Sequence, residues 1–237
     1  MMGEIKPDEA KPKKNQSPEI SSDYTHPDGK QETITLDIES KLQDYLSFYQ
    51  RNKIDLPLNF EDTIRDIWDR NQAEMEQAIK QNGFDELLII PGNIPLTEIK
   101  DKMSMEQGYY EGPNFQEEGS FSGAISQNND KPRLVLVHKA QNLQNRPELK
   151  KTLNIQGEAV KLDEALTLED YLFFQKKYFE ETDQHLDEIG WTWLTTKSGA
   201  RLVVSDWNPG HHRLSVGAYD LEDRDGDLGV RLSRCFF

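Results

Sequence analysis

The chain has 237 residues, enough for one large domain with a core of its own. Its 28 Lys and Arg stand against 43 Asp and Glu, a formal net charge of −15, so a nucleic-acid backbone is repelled over most of the surface and no nucleic-acid partner is expected. No window approaches the roughly 18 consecutive apolar residues of a membrane helix, so no membrane insertion is expected, and the single cysteine, Cys235, can form neither an internal disulfide nor a thiolate metal cage by itself.

Residues 1–33 combine Lys6-Pro7, Lys11-Pro12, Lys13-Lys14 and Pro18 with Asp, Glu, Ser and Gln, and carry few large apolar side chains. Such a stretch buries too little surface to offset the entropy of ordering it, which predicts a disordered polar tail, with a short docking peptide as its functional alternative. The opening residues lack the apolar run of a secretion signal. The compartment stays open, cytoplasm and a virion surface both being compatible.

Over 34–85 the spacing becomes helical. Ile38, Leu42, Tyr45, Leu46 and Tyr49 recur at three and four residues, as do Ile64, Ile67, Trp68, Met75 and Ile79. Asn59 followed by Asp62 reads as an N-cap with an acid in the first turn. Two amphipathic helices are predicted, their aromatic residues serving as core.

A mixed domain is predicted over 86–237. Leu87 to Ile90 is a short apolar run stopped by Pro91-Gly92, and Arg133 to His138 is β-branched and apolar, so both read as buried strands. Leu96 to Met105 is a short helix candidate, and Tyr109 to Asp130 reads as loops and short strands. Thr167 and Asp170 frame a helix start, followed at helical spacing by Leu168, Tyr171, Leu172, Gln175, Tyr178 and Phe179. Gly190 to Leu194 and Arg201 to Ser205 read as a hairpin around Lys197-Ser198-Gly199, with Trp191 and Trp193 on one face of their strand.

The last thirty or so residues carry the most specific signal. Trp207 opens a polar block, and the chain closes on Leu228-Gly229-Val230-Arg231-Leu232-Ser233-Arg234-Cys235-Phe236. This pattern resembles the variable proteins of diversity-generating retroelements, which carry a C-type lectin-like fold. The resemblance implies an α+β class, with short twisted sheets and flanking helices, and a variable region of about 206–227. Members are diversified at adenines of AAC- and AAT-rich templates, which leaves Lys, Glu, Gln, Met and Trp out of reach. Those five types make up 62 of the first 205 residues, yet Asp206 to Asp227 contains only Trp207 and Glu222.

The resemblance therefore implies a receptor-like binder rather than an enzyme, with no cofactor and no metal. Its expected contact residues are Asp206, Asn208, His211, His212, Ser215, Tyr219, Asp220, Asp223, Asp225 and Asp227, held by Trp191, Trp193, Trp207, Glu222, Gly229 and Arg231 as scaffold. Leu214, Val216 and Ala218 alternate with Ser215 and Gly217, which predicts a strand with one buried face. Tyr219 is the expected aromatic anchor. Six acids against Arg213 and Arg224 favour a protein or other macromolecular ligand with a basic or hydrogen-bond-rich patch.

Calcium-dependent carbohydrate binding is the rival reading. Asp223-Arg224-Asp225-Gly226-Asp227 clusters oxygens around a glycine, but a calcium-loop register on Gly226 puts Leu221 and Leu232 where carboxylates belong. His211-His212 could suggest zinc, yet adjacent strand residues point apart. The chain contains no phosphate-binding glycine loop and no HExxH sequence.

Overall fold

The computed structural model describes residues 18–103, 108–126, 130–150, 152–160 and 164–237, and within them helices and strands mix in an α+β arrangement. The first 17 residues, and with them half of the predicted tail, lie outside the described residues. The other half is ordered. β1 (Glu19–Thr25) and β2 (Gln31–Asp37) pair antiparallel, from Glu19 opposite Asp37 to Thr25 opposite Gln31. Ile20, Tyr24, Ile34 and Leu36 alternate with polar residues, so one face of the hairpin is apolar and buried while the other is wet. A low apolar content conceals this stripe from a compositional reading, because period-two burial needs only a few large side chains.

Asp37 ends the hairpin and starts α1 (Ile38–Arg51), its carboxylate accepting from Ser40 N at 2.6 Å. α2 (Phe60–Asn82) begins after Asn59, which occupies the cap position in a left-handed conformation without a side-chain cap bond, so the expected cap chemistry is absent there. Gly83 ends the helix at φ +71, and a Cβ on it would lie 2.4 Å from the Tyr24 ring. Both helices pack into the remainder of the chain. Tyr49 donates to the Ile89 carbonyl, Lys41 pairs with Glu86, and one continuous apolar core runs from Ile20 to Phe236.

β3 (Glu86–Ile90) forms at the predicted apolar run, and α3 (Leu96–Lys102) covers the first part of the predicted helix, of which 104–105 lie outside the described residues. β4 (Tyr109–Glu111), α4 (Pro113–Glu117), α5 (Ser120–Gly123) and β5 (Ala124–Ile125) make up the short irregular stretch. β6 (Arg133–Val137) is buried along its whole length, and α6 (Pro147–Lys150) is a single turn.

α7 (Leu168–Thr182) starts at a reciprocal cap: Asp170 N donates to Thr167 Oγ1 and Thr167 N to the Asp170 carboxylate, each at 3.2 Å. Asp170 also receives the buried Arg133 guanidinium at 2.7 and 3.0 Å, so one carboxylate anchors a helix end to a strand. Thr167→Ala is expected to cost about 1 kcal/mol in urea denaturation.

β7 (Trp191–Ser198), β8 (Arg201–Asn208), β9 (Arg213–Tyr219), β10 (Leu228–Val230) and β11 (Ser233–Phe236) complete the chain. They build two sheets. β11, β6 and β3 lie side by side and antiparallel, while the larger sheet runs β10-β7-β8-β9-β4, with β5 on the far end of β7. β10 is parallel to β7 and β4 is parallel to β9, pairings that no local turn can specify.

Candidate ligand-binding face

β8 and β9 pair from Leu202 opposite Tyr219 to Asn208 opposite Arg213. Their alternation separates two faces. Val203, Trp207, Leu214, Val216 and Ala218 join the main core. Val204, Asp206 and Asn208 on β8, with Arg213, Ser215, Gly217 and Tyr219 on β9, point the other way. Register then lays a row across four strands: Thr192 opposite Ser205 sets Trp191 beside Asp206, Asp206 faces Ser215, and Ser215 faces Tyr110.

The row is walled by aromatic rings. Trp191 stacks on Tyr219 with centroids 6.1 Å apart, and Tyr219 meets the buried Trp193 edge-on at 6.2 Å. A Cβ on Gly217 would meet the Tyr219 ring in ordinary contact at 3.6 Å and press on Val204 at 3.3 Å. At the other end Tyr110, 41% exposed, has the Arg213 guanidinium 4.6 Å above its ring.

Between the rings lies Asp206. Burial pushes its carboxyl up to about 7, against a lowering hydrogen bond from Ser215 and with the Asp187 charge adding to the rise. Its Oδ1 is buried, as is Arg213 Nε, and neither atom has a hydrogen-bond partner among the described residues. Burial is likewise the largest cause of the raised Tyr219 phenol, followed by Asp225, Asp206 and Asp223.

The predicted contact residues divide into three groups. Asp206 and Tyr219 are half-buried on the face, whereas Ser215, between its cross-strand neighbours Asp206 and Tyr110, is buried. Ser215 is therefore corrected from a contact to a framework position. Gly217, expected to face outward with it, is buried as well.

The second group sits in the β8–β9 turn. His211 and His212 are both exposed there, not on a strand, and His212 has φ +48. Asn208 is half-buried and its Oδ1 accepts from His211 N at 3.1 Å, so its amide shapes the turn as well as lining the face.

The third group is the connection from β9 to β10, where Asp220, Asp223, Asp225 and Asp227 are exposed. Several of them staple the loop. Asp220 pairs with Arg201 at 3.0 Å, Asp223 accepts from Asp220 N at 3.0 Å, and Asp225 accepts from Asp227 N at 3.3 Å. Among the described residues no group of three or more His, Cys, Asp or Glu converges as a cation cage.

Of the predicted scaffold, Trp193, Trp207, Gly229 and Arg231 are buried, Trp191 is half-buried and Glu222 is exposed. Trp207 carries His185 stacked on it at 3.3 Å, with Phe179 on the far side of that imidazole at 4.4 Å. Burial lowers the His185 imidazole to about 4, so the stack is neutral in ordinary buffers. Arg231, fully enclosed, binds Asp187 with two hydrogen bonds of 2.8 and 2.9 Å and donates to the Gln141 carbonyl. A side chain at Gly229 would strike Leu143, Leu153 and the Thr152 carbonyl within about 3 Å. The Glu222 side chain is exposed, and its carbonyl accepts from the Gln156 amide at 3.0 Å. It is corrected from scaffold to surface.

Two residues of the face escaped sequence reasoning. Arg213 shares the period-two phase of Ser215 and Tyr219 and was within reach of that argument. Tyr110 was not, because only the parallel pairing of β4 with β9 brings it there. No family profile, characterised protein or solved structure matches this chain.

Proposed function

We propose that the outer face of β8 and β9, with the turn at His211-His212 and the acidic connection from β9 to β10, is the ligand-binding surface of a C-type lectin-like domain. It is a receptor surface whose side chains are open to diversification, as in the variable proteins of diversity-generating retroelements that the C-terminal sequence resembles. One observation carries this reading. Within a single stretch, residues that hold the frame (Trp207, Leu214, Val216, Ala218) alternate with residues that line a separate, partly exposed face (Asp206, Asn208, Arg213, Tyr219). Replacing Asp206, Asn208 or Arg213 leaves the main core untouched, which is the physical requirement of a variable binding surface, while Tyr219 also packs on the smaller apolar cluster around Trp193. The ligand is a protein or other macromolecule, engaged by rigid aromatic rings and adaptable polar groups.

The test compares two displayed libraries of the full chain. Randomising the exposed His211, Arg224 and Asp227 is expected to leave most clones resistant to protease, because exposed substitutions usually change stability by no more than about 0.5 kcal/mol. Randomising Leu214, Val216 and Ala218 is expected to abolish resistance in nearly all clones. Equal losses in both libraries would remove the reading. At the gene level, a near-copy of the codons for 206–227 beside a reverse transcriptase, differing only at adenines, would support it.

A further inference from the structure

The face pairs its charges differently from the rest of the molecule. Arg133 closes on Asp170 and Arg231 on Asp187, each through two hydrogen bonds in the interior. Asp206 and Arg213 sit on neighbouring strands yet do not pair with each other, and each leaves one buried polar atom unused; the enclosed Arg231 leaves one nitrogen over as well, but on this face both the acid and the base do so. An orphan buried donor or acceptor costs about 1–3 kcal/mol, so two at one place on a partly exposed face mark positions completed from outside.

We infer that Asp206 and Arg213 together receive the carboxamide of an Asn or Gln side chain on a partner protein; this rests on the binding-face reading above. Asp206 offers an acceptor and Arg213 a donor, and a carboxamide presents the complementary donor and acceptor in one plane. Asp206 faces Ser215 and Asn208 faces Arg213, so the two residues are diagonal cross-strand neighbours, about 7–8 Å apart at the backbone and within range of one ligand group.

Charge selects against the alternatives. A basic side chain reaching Asp206 would lie beside the Arg213 guanidinium. An acidic one reaching Arg213 would meet Asp206 and the exposed acids of the β9–β10 connection. A neutral amide satisfies both orphan atoms without stranding a charge, and the rings of Trp191, Tyr219 and Tyr110 flank the pair.

The experiment pans a phage-displayed library of random dodecamer peptides against the full chain and sequences the enriched pool. Asn and Gln are expected to rise at least threefold over Lys and Arg relative to the input. Enriched peptides are expected to bind Arg213→Lys, which keeps the cation but loses Nε, at least tenfold more weakly than the parent, and Asp206→Leu equally so. Thermal melts of both variants establish that they fold. A pool led by basic or acidic residues overturns the inference. So do peptides that lose binding on Tyr219→Ala or His211→Ala but ignore Asp206→Leu and Arg213→Lys, an outcome that keeps the binding face itself. Peptides indifferent to all four substitutions, or a pool with no enrichment, overturn the face and the inference together.

Discussion

Asp187→Asn is expected to destabilise the protein by about 3–5 kcal/mol, lowering the melting temperature by roughly 10 °C. Asp187 and Arg231 are both shielded from solvent, and burial alone would weaken the guanidinium's charge. The Asp187 carboxylate more than compensates, so Arg231 stays above its ordinary value. Removing the carboxylate leaves an unpaired cation in the interior, the most expensive of the polar defects. Asparagine is the appropriate replacement because Asp187 has φ +54, which Asn tolerates better than Ala, so the loss reports charge and not backbone strain. The double variant Asp187→Asn/Arg231→Met should recover a large part of the loss, since no charge is then stranded. The Asp187 carbonyl also accepts from Trp207 N at 3.0 Å, so faster amide hydrogen exchange should spread from Trp207 into β8. Unchanged stability in the single variant would rule out this pair as the anchor of the C-terminal sheet.

Asp206→Asn is expected to act in the opposite sense and only at higher pH. The unfolded carboxyl titrates near 3.9, whereas in the folded protein it is pushed up to about 7. Between these values the folded chain holds a proton that the unfolded chain has released, so stability falls with each unit of rising pH. Below about pH 4 both states are protonated and the residue is neutral in effect; above about 7 the whole cost is present. A displacement of this size corresponds to about 4 kcal/mol, reduced to about 2 kcal/mol by the partial exposure of the side chain. Urea melts should therefore show Asp206→Asn more stable than the parent by about 2 kcal/mol at pH 8 and equal to it at pH 4. A gain of the same size at both values would mean that ionisation of Asp206 plays no part. The cost belongs to a residue on the face, where local destabilisation is tolerated because the group is there for contact.

The secondary structure was legible wherever a repeat of 3.6 or 2 ran unbroken. The stripes of α1, α2 and α7, the Thr167–Asp170 cap and the β7–β8 hairpin each depend on neighbours within a few residues, and each appears where the spacing placed it. The β1–β2 hairpin was not, because its signal is four apolar residues among charges, outweighed by composition. The face was half legible. Period two separated Trp207, Leu214, Val216 and Ala218 from Asp206 and Tyr219, but Ser215 and Glu222 were placed wrongly, because alternation names a side of a strand and not what covers it.

By itself, then, the sequence determined the acidic surface, the local elements and the phase of each strand, since these depend on residue type and short-range geometry. Only the tertiary structure decided that Tyr110 lies beside Ser215, that Arg231 reaches Asp187, and that Asp206 and Arg213 share a face without closing on each other. Parallel pairings and buried charge partners join residues far apart in the chain. Their free energy is realised only after the loops between them have closed, and no spacing within a short window encodes that choice.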